Sequence, residues 1–61
     1  MDKQIRVLVV DDEPKICHLI ELVLVQEGYR VDVSSSGMEA LQMIKRYNYH
    51  LLITDLKMPG I

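Results

Sequence analysis

Residues 7–14, VLVVDDEP, constrain this chain more than any other stretch. Four aliphatic residues in a row, without alternation, describe a short strand whose two faces are both covered. That is the habit of an inner strand in a parallel sheet. The run then stops at three consecutive acids, Asp11, Asp12 and Glu13, followed by Pro14. Like charges held close repel, and each resists leaving water. An acidic cluster at the end of a buried strand therefore needs a physical reason.

The elements that follow supply the setting. Pro14 suits the first turn of a helix, where a missing N–H leaves nothing unsatisfied, with Asp12 or Glu13 available as cap. Ile16, Leu19, Ile20, Val23 and Leu24 recur with helical period and mark one apolar face. Gly28 stands where a left-handed cap would end that helix. Arg30 to Ser34 alternates polar and apolar residues, which suits a strand at a sheet edge. Ser36-Gly37-Met38-Glu39 reads as a capping box opening a second helix. Its buried stripe is expected to be Ala40, Leu41, Ile44 and Tyr47. Leu51 to Thr54 is a second apolar strand, closed by Asp55, and LKMPGI follows as a loop with a turn at Pro59-Gly60.

The order is β-α-β-α-β with short connections, an α/β pattern that implies parallel strands joined by right-handed crossovers. In a flavodoxin-like arrangement the strand order is 2-1-3, and ligands bind at the carboxyl ends of the strands where the winding reverses. Asp11 and Asp12 end the first strand and Asp55 ends the third, so this topology brings three carboxylates to one rim. A divalent cation makes such a cluster tolerable. Mg²⁺ takes oxygen ligands and commonly combines one or two carboxylates with a phosphate. A carboxylate can also be a phosphoryl acceptor. Asp55 is the better nucleophile because it stands alone, leaving Asp11 and Asp12 to hold the metal.

Composition narrows the class. The chain has 61 residues, of which 49% are apolar, and a formal net charge of −2. It is too apolar for disorder, and it has no electrostatic footprint for nucleic acid. There is no apolar run long enough to span a membrane and no signal peptide, and Cys17 is alone, which points to a reducing, cytoplasmic setting. Cys17, His18 and His50 are read as structural, Glu13 as a first-turn acid. Met38 and Met43 are read as helix packing, and Tyr29, Tyr47 and Tyr49 as a rim around the core.

Taken together, VLVVDDEP, EGYRVDVSSSGMEAL and LLITDLKMPG resemble, in order and spacing, the receiver domain of two-component response regulators. The resemblance runs over essentially all of residues 1–61 but covers only the N-terminal half of that domain, ending just after the phosphoacceptor loop. It implies a CheY-like fold in which Asp55 accepts a phosphoryl group from a sensor histidine kinase. It also implies Mg²⁺ held by Asp12, by Asp11 mostly through water, by Asp55 and by the backbone carbonyl of Lys57. Such a protein is a phosphoacceptor rather than a turnover enzyme. The Ser/Thr and the Lys that a receiver places on its later strands are not in this sequence. The third strand is accordingly expected to offer an open edge, closed by a second copy in a homodimer. The competing class is a dimerising scaffold with a relic acidic pocket and no transfer chemistry. A haloacid-dehalogenase-like phosphatase is disfavoured because Asp11-x-Glu13 departs from Asp-x-Asp, and a nucleotide-binding Rossmann half because G-x-G-x-x-G is missing.

Overall fold

A strand that is apolar on both faces must be covered on both, and the arrangement of this chain follows from that requirement. In the computed structural model, which describes residues 4–54, the order is β1 (Arg6–Val10), α1 (Pro14–Gln26), β2 (Arg30–Ser34), α2 (Gly37–Arg46) and β3 (Leu51–Thr54). The sheet is parallel throughout, in the order β2-β1-β3. Val7 pairs with Val31 and Leu51, and Val10 with Ser34 and Thr54.

The central strand carries the core. Val7, Leu8 and Val9 are fully buried and Val10 nearly so, each such side chain contributing roughly 1.5–3 kcal/mol. Successive residues point to opposite faces. Val7 and Val9 pack with Cys17 of α1, flanked by Ile20, Leu24, Tyr29, Val31 and Ile53. Leu8 and Val10 pack with Ala40 of α2, flanked by Met43 and Tyr49. The two helices therefore lie on opposite faces of the sheet.

The helix ends are built largely as the sequence implies. Gly28 has φ +94°, a conformation that costs a residue with a Cβ about 1 kcal/mol or more. Its N–H donates to the carbonyl of Val25, and that of Tyr29 to Leu24, the paired bonds that close a helix with a left-handed residue. At α2, Ser36 caps as expected, its Oγ accepting from the N–H of Glu39 at 3.1 Å. The reciprocal half of the box is replaced. Ser36 N–H donates to Ser34 Oγ, and the Glu39 carboxylate accepts from the Ser34 hydroxyl at 3.0 Å. As a buried polar residue Ser34 requires such partners.

The buried stripes are narrower than the sequence pattern. On α1 the residues facing the sheet are Cys17, Ile20 and Leu24, while Leu19 and Val23 are 58% and 60% exposed. On α2, Leu41, Ile44 and Met38 are exposed rather than packed, and Met43 takes the inward position; Tyr47, just past the helix, is 41% exposed and packs on Arg6 and Tyr49 instead of the core. Leu51 and Leu52 of β3 are likewise about half exposed. Among the described residues β3 is a sheet edge.

At the amino end of the sheet, Arg6 ties the layers together. Its guanidinium donates to Asp32 Oδ2 from Nε at 3.3 Å and from Nη2 at 3.2 Å, and lies over the Tyr47 and Tyr49 rings. Tyr49 OH donates to the same oxygen at 2.6 Å. His50 enters β3 by a double link, its N–H donating to the Arg6 carbonyl and its Nδ1 accepting the Arg6 N–H. These bonds set the register of β3 against β1.

Candidate functional site

At the opposite end of the sheet, β1 delivers Asp11 and Asp12 to the rim. Asp11 is half-buried and Asp12 exposed. The Asp11 N–H donates to the Ser34 carbonyl at 3.1 Å, continuing the β1–β2 ladder by one residue. Its Oδ1 accepts from the N–H of Glu13 at 2.9 Å, a local turn typical of aspartate. Its carbonyl accepts from the Cys17 thiol at 3.3 Å. The acidic loop is thus held by β2, by its own turn and by α1.

Glu13 is the backbone cap of α1, in an extended conformation with Pro14 next, but its side chain makes no capping bond. The expected cap from Asp12 or Glu13 is therefore not formed. A glutamate side chain is too long to fold back onto its own helix start easily, and Asp11, two positions earlier, takes the N–H of Glu13 instead. Asp12 is left with no side-chain hydrogen bond among the described residues, beside the positive end of α1.

The end of β3 lies alongside. Val10 and Thr54 are register partners, so Asp11 follows one and Asp55 follows the other in sequence. Thr54 Oγ1 is buried without a hydrogen-bond partner among the described residues. Asp55, Lys57 and the Pro59-Gly60 turn lie outside the described residues. Of the predicted site residues, the structure brings Asp11 and Asp12 to the rim where β1 and β3 end. Among the described residues no group of three His, Cys, Asp or Glu side chains forms a metal-holding cluster. The donor set itself suits a hard divalent cation, with two carboxylates of which one is uncommitted and exposed.

Two residues matter more than the sequence pattern suggested. Ser34 is buried and links the acidic loop, through its carbonyl, to the start of α2, through its hydroxyl. Its place at the end of an alternating strand, opposite Val10, was the available signal. Cys17 is structural, as read, yet it also bonds the acidic loop. Burial, and then the negative charge of Asp11, push its thiol above the ordinary range, with the bond to the Asp11 carbonyl opposing them. It is a thiol at neutral pH. His18 stays exposed, with Glu21 3.9 Å away. No helix among the described residues is long and apolar enough to cross a membrane.

Known proteins share this arrangement. A family model for the response regulator receiver domain matches residues 7–61. The chain is 42% identical over 55 residues to the transcriptional regulatory protein ResD of Bacillus subtilis, covering 90% of this chain and 23% of that one. It is 41% identical over 56 residues to the transcriptional regulatory protein GlrR of Escherichia coli, covering 92% of this chain and 13% of that one. The chain thus spans a quarter or less of the length of the curated relatives it matches. The solved structure of the chemotaxis response regulator CheY4 of Vibrio cholerae superposes with a TM-score of 0.92 at 30% identity, covering 97% of this chain and 49% of that one. With the strand order, the opposed helices and the acidic rim, these matches show that the chain belongs to the response regulator receiver domain family of two-component signalling.

Proposed function

We propose that Asp55 is the phosphoacceptor of this receiver segment, that Asp11, Asp12, Asp55 and the Lys57 backbone carbonyl hold Mg²⁺ beside it, and that the donor is the phosphohistidine of a sensor histidine kinase acting on the parent protein. Receiver domains in general bind Mg²⁺ at the phosphorylation site and work with sensor kinases. The assignment to these residues rests on one observation, the in-register parallel pairing of β1 with β3. Val10 stands opposite Thr54, and the next residue in each strand is an aspartate. Residues 1–61 are read as the N-terminal half of a receiver domain, in keeping with coverage of 49% of the CheY4 chain.

The chemistry asked of the chain is modest. A carboxylate oxygen of Asp55 attacks phosphorus, a P–O bond forms as the P–N bond to imidazole breaks, and the imidazole leaves as the neutral base after taking a proton from water. When bound, Mg²⁺ would offset the negative charge that otherwise repels the phosphoryl group from the carboxylates. Asp11, fixed through its backbone and Oδ1, orients the rim, while Asp12 is the uncommitted ligand. Incubation with acetyl phosphate and MgCl₂ should add one phosphoryl mass to the intact chain, and Asp55→Asn should abolish the gain. An unchanged mass in the wild-type chain overturns the assignment.

A second reading, of a homodimer, is favoured by the apolar surface flanking β3. A groove of about 200 Å³ is lined by Val10, Gly37, Ala40, Leu41, Ile44, Leu52 and Thr54 and contains no charged side chain. On the other face Leu51 lies in the same edge strand, with Leu19 and Val23 exposed on α1. A second copy offers an identical edge strand and an equally uncharged surface, which a two-fold pairing of β3 with β3 would use on both sides. Sedimentation equilibrium should then return a dimer at micromolar concentration. A folded monomer under those conditions rules this reading out. A dimer that takes no phosphoryl group would instead match a scaffold.

A further inference from the structure

The carbonyl of Asp11 lies between two hydrogen-bond ladders. It follows the last paired residue of β1 and precedes the first turn of α1, whose opening bonds converge on the Glu13 carbonyl from the N–H groups of Ile16 and Cys17. The donor that reaches it is the thiol of Cys17, six residues on, at 3.3 Å. Cys17 is only 6% exposed and stands at the N-terminal end of the sheet-facing stripe of α1, against Val7 and Val9. An aliphatic side chain would fill that position equally well. The thiol adds a donor aimed at the loop that carries both acids.

We propose that Cys17 is a positioning residue for the cation site, holding the backbone of Asp11 so that the Asp11 and Asp12 carboxylates present themselves together to Mg²⁺. This rests on the reading of Asp11 and Asp12 as Mg²⁺ ligands. Among the described residues Asp11 has three tethers, namely its N–H to Ser34, its Oδ1 to Glu13 N–H, and its carbonyl to the thiol. The first two come from the adjoining strand and from the loop itself. Among the described residues, the thiol is the tether that ties Asp11 itself to the sheet-facing side of α1. The tether leaves Asp11 Oδ2 and the whole Asp12 carboxylate without a hydrogen bond among the described residues. Partners that orient metal ligands typically alter affinity about 10–100-fold when removed, and a thiol is a weak donor, so the effect belongs at or below the lower end of that range.

Calorimetric titration of the 61-residue chain with MgCl₂ tests this. Cys17→Ala, which removes the donor, should weaken Mg²⁺ binding about three- to tenfold. Cys17→Ser, which keeps an O–H donor, should stay within about twofold of wild type. Equal affinity in all three chains overturns the proposal, and so does equal weakening in both variants, which would mark a packing role. A wild-type chain that binds no Mg²⁺ fails at the earlier step and refutes the ligand assignment itself. If Cys17→Ala does not fold, the wild-type thiol decides. Saturating Mg²⁺ should slow its reaction with a disulfide reagent, and Asp12→Asn should remove that protection. A rate indifferent to Mg²⁺ in a chain that binds it overturns the proposal.

Discussion

Leu8→Ala is expected to remove most of the folding free energy of this chain. Leu8 is fully buried in the central strand and packs with Val10, Ala40, Met43 and Tyr49. Truncating a buried leucine to alanine costs about 2–5 kcal/mol, from lost transfer energy and the cavity left behind. A domain of this size has roughly 3–9 kcal/mol to lose, and small cores commonly supply only about 3–5 kcal/mol. Val10 and Ala40, which pack on Leu8, also line the groove of about 200 Å³, and their freedom to move allows some collapse around the gap, which places the loss in the lower half of the range. Even so, the cooperative thermal transition followed by circular dichroism should fall by about 10 °C or more, or vanish. Leu41→Ala is the control. Leu41 is 58% exposed on the rim of the groove and should change the midpoint of the monomer little. A Leu8→Ala transition within about 3 °C of wild type would mean that β1 is not the centre of the core, and the route by which Asp11 and Asp12 reach the rim would need another basis.

The same contrast between Leu8 and Leu41 explains what the sequence could reveal. An unbroken aliphatic run has one interpretation, a strand covered on both faces, and β1 is that strand. The alternation of Arg30–Ser34 likewise identified the edge strand β2, and Gly28 and Ser36 marked helix ends by chemistry that few other residues can supply. Helical stripes are a different kind of signal. Ile16, Leu19 and Val23 report that a face of α1 is apolar, not what covers it, and the sheet reaches only as far as Cys17, Ile20 and Leu24. Leu41 and Ile44 of α2 were misjudged for the same reason. The capping box was legible only by half because Ser34, a residue outside the motif, competes for both of its partners.

For the site, the acidic pair at the end of β1 was readable because charge at the end of a buried strand has few explanations. The tethers of the loop were not, since a thiol reaching back to Asp11 and a strand-end serine carrying its N–H depend on tertiary geometry. The cluster at the other end of the sheet was hidden in the same way. Arg6 and Asp32 are 26 residues apart in sequence and on different strands, and no local pattern connects them.

That cluster carries the second large effect. Asp32 Oδ2 accepts from Arg6 Nε and Nη2 and from Tyr49 OH. Asp32→Ala would leave a guanidinium and a phenol without their acceptor, at a site where the Arg6 and Asp32 side chains are only 20% and 26% exposed. An exposed ion pair is worth about 0–1 kcal/mol and the breaking of a buried one about 3–5 kcal/mol. Partial screening puts this case near 2 kcal/mol, or about 10 °C in a domain of this length. The pH profile identifies the cause. Burial, then the hydrogen bond to Asp32 and its charge, raise the Tyr49 phenol from 10.0 to about 12. A group whose folded pKa is raised contributes stability that is complete below its unfolded value and lost as pH climbs through the folded one. The wild-type chain should therefore lose the Tyr49–Asp32 contribution between pH 10 and about 12. In Asp32→Ala that contribution is already gone, so the gap between the two melting midpoints should be widest near neutrality and narrow across that alkaline window. A gap that does not change with pH would assign the effect to Arg6 alone. A gap below about 2 °C at pH 7 would show that the cluster does not hold β3 in register. Because that register sets Thr54 against Val10, it would also remove the main support for Asp55 meeting Asp11 and Asp12 at one rim.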